Sequence, residues 1–183
     1  MGQLRIVSYS SQPFQDRREA GRLLGQELAH LRGQKPVVLG IPRGGIIIAR
    51  ELAAALDGDL DIVLSRKLRT PGNLELAMGS VAEDGKLFIN EDVVRQMGIS
   101  EAEIEREKAV QMQEIARRVA LIRKVLPKTP LQDRLVIVTD DGVATGATTQ
   151  AALWSVRAEK PKKLIAAIPV GAQDSVERLA QDV

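Results

Sequence analysis

The stretch Val136-Ile137-Val138-Thr139-Asp140-Asp141-Gly142-Val143-Ala144-Thr145-Gly146-Ala147-Thr148-Thr149 carries more chemistry than any other part of this 183-residue chain. Its opening is branched and apolar, the composition of a strand buried on both faces. Two adjacent carboxylates follow, Asp140 and Asp141, and then a threonine- and glycine-rich turn into a helical segment at residues 147–158. Free N–H groups at a helix start, together with threonine hydroxyls, suit a phosphate. The carboxylates are acceptors for sugar hydroxyls or for a magnesium hydration shell. One loop therefore offers acceptors for a diol and donors for a phosphate, the requirements of a ribose 5-phosphate. An Asp pair capping the turn, with threonines capping the helix, accounts for these residues singly but not for their order.

Working outward, strand and helix alternate. Asp16 with Glu19 reads as a capping box, opening a helix whose Ala20, Leu23, Leu24, Leu28 and Leu31 share one face. Residues 37–41 form a second buried-type strand, followed by the turn Pro42-Arg43-Gly44-Gly45 and an apolar helix at 46–56. Residues 60–64 read as a strand, 65–73 as a polar loop, and 76–82 with 86–89 as a hairpin around Glu83-Asp84-Gly85. A capping box at Ser100 and Glu103 starts a long helix to about residue 126, acidic in its first half and basic in its second, as the helix dipole favours. Strands at 135–139 and 164–168 and helices at 147–158 and 173–180 complete an α/β pattern with a mostly parallel central sheet flanked by helices. No Pro/Gly/Ser-rich linker interrupts it, so residues 1–183 are expected to form one domain.

Ligands of open parallel sheets bind beyond the carboxyl ends of the strands. The Gly40-Ile41-Pro42-Arg43-Gly44-Gly45 turn lies at such an end, and its paired glycines let backbone N–H groups approach an anion beside Arg43. Alone, it is read equally well as a tight turn whose glycines supply positive φ. Arg66 and Lys67, at the end of the next strand, are alone no more than a solvated basic pair.

Composition removes other chemistries. With no cysteine and His30 as the single histidine, thiol nucleophiles, Cys-based zinc sites and histidine-rich metal centres are excluded. His30 reads as a structural residue near a helix end, and Met78 and Trp154 as packing residues. A net charge of +2 and 2% aromatics argue against nucleic acid as a partner. No apolar run approaches the roughly 20 residues of a membrane helix, and the first residues lack a signal-peptide pattern. A cytoplasmic protein without a membrane partner is expected. The glycine turns match neither the dinucleotide fingerprint nor the Walker pattern. A metal-dependent phosphohydrolase built on Asp140 and Asp141 lacks further carboxylates in the sequence pattern.

The segment 136–149 resembles the signature of the type I phosphoribosyltransferases: a hydrophobic strand, two acids, a short spacer, then Thr-Gly and another Thr. With Phe14, Asp16, Arg17, Ala20, Gly21, the Gly-Ile-Pro-Arg-Gly-Gly turn and Arg66-Lys67, the similarity extends over most of residues 14–180, to a bacterial subgroup of undefined acceptor. The resemblance implies that Asp140 and Asp141 hold the ribose hydroxyls of phosphoribosyl pyrophosphate (PRPP), and that Thr145, Gly146, Ala147, Thr148 and Thr149 hold its 5′-phosphate. It implies that Arg43, Gly44 and Gly45 form the pyrophosphate loop, with a cis peptide at Pro42–Arg43, and that Arg66 and Lys67 approach the pyrophosphate. Asp140, Asp141, Arg66 and Lys67 are thereby the catalytic set. Mg2+ is the implied cofactor, reached by the Asp pair through water rather than as direct ligands. The implied partners are PRPP and a small nitrogenous acceptor such as a nucleobase or amine. The alternative is a regulatory protein that binds PRPP without catalysis.

Three departures from the family pattern stand out. Ala144 replaces the acid that members acting on 6-oxopurines carry, which argues against hypoxanthine or guanine. The chain ends after its last predicted helix, one strand earlier than the family fold usually does, and leaves residues 1–15 as the visible candidate for the hood over the acceptor. The long helix at 100–126 is an insertion. Its seam of Lys108, Met112, Ile115, Val119, Ile122 and Leu126 is expected to pack on its own domain, with a homodimer contact as the alternative.

Overall fold

The computed structural model describes residues 3–10 and 12–183. Helix α1 (Arg17–Glu27) begins at Asp16, whose side chain accepts from the Glu19 N–H. A short 3-10 turn at Ala29–Leu31 leads to strand β1 (Val37–Gly40) and helix α2 (Gly45–Leu56). Gly21 and Gly25 let α1 lie directly on α2: a Cβ on Gly25 would fall 2.5 Å from that of Ala55. The buried face of α1 is therefore Ala20, Gly21 and Gly25, with Leu24 packed beside them, whereas Leu23, expected on that face, is exposed.

Strand β2 (Asp59–Ile62) is followed by β3 (Ser65–Thr70), β4 (Asn73–Ala82) and β5 (Leu87–Ile89). Helices α3 (Glu91–Met97) and α4 (Glu101–Ile122) precede β6 (Leu135–Thr139), α5 (Ala147–Ala158), β7 (Lys163–Ala166) and α6 (Gln173–Leu179). The central sheet has the order β2-β1-β6-β7, every pair parallel. β1 and β6 are buried along their whole length, as continuous apolar runs require when helices cover both faces. Their carboxyl ends are in register, Gly40 beside Thr139, and the Ile41 N–H donates to the Thr139 carbonyl at 2.9 Å. The loops after β1 and β6 thus leave the sheet side by side.

The segment 65–73, expected as a loop, is instead the β3 strand and turn of a second, antiparallel sheet of order β3-β4-β5. Its polarity misleads because Arg66, Lys67 and Arg69 face a cleft while Leu68 and Thr70 are buried. Helix α3 also lacks a sequence expectation; its marks are the Asn90 cap and the left-handed Gly98 after it. Helix α4 opens with the expected capping box at Ser100 and ends at Ile122, with Arg123 as its C-cap. Its seam is used within the chain: Ile115 is 1% exposed and packs with Leu68, Met78 and Val81, flanked by Ile104, Met112 and Val119.

The far end of α4 is clamped by charge. Arg123 donates to Asp61 at 2.6 Å and to both Glu83 oxygens at 2.8 Å, joining the end of α4 to β2 and to the β4–β5 turn. Asp61, 1% exposed, also accepts from the Thr129 N–H at 2.7 Å. Removing one partner of a buried pair leaves the other charge desolvated. Arg123→Met is expected to destabilise the fold by about 3–5 kcal/mol, lowering Tm by on the order of 10 °C in thermal denaturation. A loss under about 2 °C would show that the clamp does not hold the helix.

Candidate functional site

The two loops beyond β1 and β6 pack backbone against carboxylate. A Cβ on Gly44 would fall inside the Asp141 carboxylate and 2.9 Å from Arg17 Nε, and one on Gly45 would lie 2.7 Å from the Thr139 carbonyl oxygen. Gly44 has φ −64°, so positive φ is not what calls for a glycine there; a side chain would meet the Asp141 carboxylate. The Pro42–Arg43 peptide is cis, as the resemblance implied, and Arg43 is exposed beside it.

Asp140 and Asp141 sit under this turn in different states. The Asp141 N–H donates to Asp140 Oδ1 at 2.8 Å. Desolvation pushes the Asp140 carboxyl up to about 6; the bond from Asp141 N–H opposes this and the Asp141 charge adds to it. Asp141 itself is engaged by Arg17, whose Nε and terminal nitrogen donate to Oδ2 at 2.9 and 2.6 Å. In the sequence Arg17 stands out only as part of the family pattern. Its signal is local: a cation in the first turn of a helix runs against the dipole, so it needs another reason to be there. The short α1–α2 contact carries it to Asp141, 124 positions away in sequence.

The expected phosphate segment forms the start of α5. Gly146 is the N-cap at φ 79°, no side chain caps the helix, Thr145 and Thr148 are exposed and Thr149 is buried. The preceding turn is held from behind by the segment around α6. The Val143 N–H donates to the Val170 carbonyl and the Ala172 N–H to the Val143 carbonyl, both at 2.9 Å. Ser175 Oγ donates to the Ala144 carbonyl at 2.7 Å, and Arg178 to the Thr145 carbonyl at 3.0 Å. The backbone of 143–145 is thus fixed while the helix N–H groups face outward.

Arg66 and Lys67 stand on β3, across a cleft from that helix start. The cleft, about 180 Å3 in volume, runs from Pro42 past Thr148 to β3 and α4. Arg66 Nε donates at 3.0 Å to Oε1 of Gln111, a buried residue of α4 whose amide in turn donates to Glu107 at 2.8 Å. The structure therefore brings Arg43, Gly44, Gly45, Asp140, Asp141 and the 145–149 turn together at one end of the sheet, and sets Arg66 and Lys67 on the wall of the adjoining cleft. Gln111 and Arg118, which also line the cleft, had no sequence signal beyond a polar helix surface.

A sheet of this order, with an acidic pair and an open helix start beyond the neighbouring ends of β1 and β6, defines a class, and the comparison of sequences agrees. The chain belongs to the phosphoribosyl transferase domain family, whose model matches residues 15–182. The crystal structure of TT1426 from Thermus thermophilus is similar, with a TM-score of 0.89 and 44% identity, over 93% of this chain and 81% of that one. Two Mycobacterium tuberculosis proteins, from strains CDC 1551 and H37Rv, each named "Putative phosphoribosyl transferase", are 42% identical over 167 residues, or 91% of this chain. The chain spans 38% of the length of those relatives.

The raised Asp140 pKa fixes a sign for stability. Its ordinary value is 3.8, so between about pH 4 and pH 6 the folded chain holds a proton that the unfolded chain has released. The stabilisation is complete below the lower value and is lost as pH rises through the upper one. Asp140→Asn is expected to raise the Tm of the ligand-free protein at pH 7, with the gain vanishing toward pH 4. A variant no more stable than wild type at pH 7 would contradict the desolvated carboxylate.

Proposed function

We propose that this protein transfers a 5-phosphoribosyl group from PRPP to a nitrogen nucleophile, releasing pyrophosphate. The observation that carries the reading is the contact of Gly44 and Gly45 with the Asp140–Asp141 pair, which unites an anion-binding turn, acceptors for a diol and an uncapped helix start. In this reading the 5′-phosphate lies on the N–H groups and hydroxyls of residues 145–149, where the helix dipole favours it. Asp140 and Asp141 accept from the ribose 2′- and 3′-hydroxyls, which requires the Arg17 guanidinium to share or yield Asp141. The pyrophosphate lies along Arg43, Gly44 and Gly45, with Arg66 and Lys67 approaching it from β3.

The reaction breaks the bond from C1 to the pyrophosphate oxygen and forms one from nitrogen to C1. The nitrogen's proton leaves to pyrophosphate or solvent. Because the transition state separates charge between a cationic sugar and the leaving group, these residues act by positioning and by stabilising the growing negative charge. No covalent nucleophile is needed.

Among the described residues no cluster of three or more His, Cys, Asp or Glu is placed to hold a metal. The donor set instead fits Mg2+ arriving with its substrate, since magnesium is commonly held by one or two carboxylates together with phosphate oxygens. Asp140 and Asp141 would reach it through water, and when bound it would neutralise charge on the pyrophosphate. Ala144 supplies no acid for the proton of a 6-oxopurine, which turns the choice of acceptor toward other nitrogen compounds. Among the described residues no helix is long and apolar enough to cross a membrane.

PRPP with Mg2+ is expected to raise Tm, the stabilisation reaching about 2.7 kcal/mol at a hundredfold excess over Kd. The double substitution Asp140→Asn and Asp141→Asn should abolish the shift. An unshifted wild type at millimolar PRPP would defeat the reading. A shift without pyrophosphate release, across purines, pyrimidines and amines, would favour the non-catalytic regulatory protein.

A further inference from the structure

The cleft between β3, α4 and the start of α5 bears on how the acceptor is recognised, an inference that rests on the phosphoribosyl transfer proposed above. Its volume of about 180 Å3 is that of a small molecule; for comparison, an apolar cavity of about 150 Å3 accepts benzene. Among the described residues its lining includes no Asp, no Glu and no aromatic ring, yet it holds Arg66, Lys67, Arg69 and Arg118. Arg66, Arg69 and Arg118 form no ion pair among the described residues.

The aromatic residues lie outside this cleft. Phe88 and Trp154 stack on each other with centroids 4.8 Å apart, and the Trp154 N–H donates to Asp182. Tyr9 and Phe14 are exposed in the segment before α1. Stacking of a flat base between rings is therefore not what this cleft provides. Like charges gathered in a partly enclosed space repel one another, and an anion entering between them relieves the repulsion. Guanidinium groups suit it further, because each presents a planar fork of donors to a carboxylate or phosphate.

The inserted helix supplies part of this wall. Gln111, 3% exposed, is fixed by its amide bond to Glu107 and accepts from Arg66 Nε, so α4 aims a cation of β3. Arg118 follows Gln111 by seven positions, two turns along the same helix, and lines the same cleft. We infer that the acceptor is a small anionic nitrogen compound, an amine or single-ring heterocycle bearing a carboxylate or phosphate, gripped by Arg69 and Arg118 while its nitrogen faces the sugar beside Pro42 and Thr148. The bonds made and broken are those given above; the acceptor's acid group takes no part in them.

The test uses matched probes titrated calorimetrically against the full chain with saturating magnesium pyrophosphate: anthranilate against aniline, nicotinate against nicotinamide, orotate against uracil, and phosphoethanolamine against ethanolamine. The charged member of at least one pair is expected to bind about tenfold tighter or more, as a charge-assisted hydrogen bond provides. The identity of that pair distinguishes a carboxylate from a phosphate. Arg118→Gln should erase the preference and Arg118→Lys restore part of it, while both variants keep the Tm shift given by PRPP with Mg2+. Equal affinities within every pair, or no binding by any charged probe, overturn the inference. So does a loss of PRPP affinity in Arg118→Gln equal to the loss for the charged probe, since the cations would then serve the pyrophosphate alone. Absence of a PRPP shift in the wild type defeats the phosphoribosyl reading separately, and the probe pairs still report on the cleft.

Discussion

The contact between the Gly44–Gly45 backbone and the carboxylates of Asp140 and Asp141 is the constraint on which the ligand end of this sheet depends. It exists because β1 and β6 are neighbours in register, so two loops separated by almost a hundred residues emerge at the same height. A side chain at Gly45 would press on the backbone of Thr139 and Asp140 and force the loops apart, and one at Gly44 would displace the Asp141 carboxylate. The same contact desolvates Asp140 and brings Arg17 to Asp141, so the electrostatics of the site follow from its packing rather than standing apart from it. The α1–α2 glycine contact and the hydrogen bonds from the α6 segment hold the two loops from behind.

The second sheet and α4 form a layer of their own. They pack on α5 through buried contacts that include the hydroxyls of Ser80 and Ser155, 3.1 Å apart, and they are tied to β2 by Arg123. In the proposed function the loops beyond the parallel sheet hold phosphate and sugar, whereas α4 and β3 shape the adjoining cleft. The cleft also accounts for the polar side of α4, where Gln111 is buried beside a half-buried Glu107 and Arg118 lines the cleft from an exposed position.

The parallel sheet was legible because β1 and β6 are short unbroken apolar runs followed by glycine turns, and α4 was legible from its capping box at Ser100. Strand β3 was not, since a strand that lines a polar cleft has the composition of a loop. Helix α3 was hidden by its brevity and by the absence of any fully buried residue on it. Within the site, the motif residues 140–149 could be read in order because they are contiguous. Arg17 on Asp141 and Gln111 on Arg66 are pairings made by tertiary packing across 124 and 45 positions, and no local pattern encodes a partner at that distance. The seam on α4 shows the converse: its spacing was correct, and only the structure tells that β3 and β4 of the same chain fill it.

The Arg17–Asp141 bond has a consequence for the speed of encounter. A polyphosphorylated sugar approaching two bare adjacent carboxylates would be repelled before any hydrogen bond could form. One carboxylate is covered by a guanidinium, and the other keeps its proton to higher pH than an exposed aspartate, so under the proposed function an incoming anion would first meet the uncapped start of α5 and the exposed Arg43. The acidic groups would become available only as the diol of such a ligand arrived at close range. Under that reading, capture at long range and recognition at short range would be governed by different charges, and added salt, which screens the first far more than the second, should slow association more than it loosens the complex.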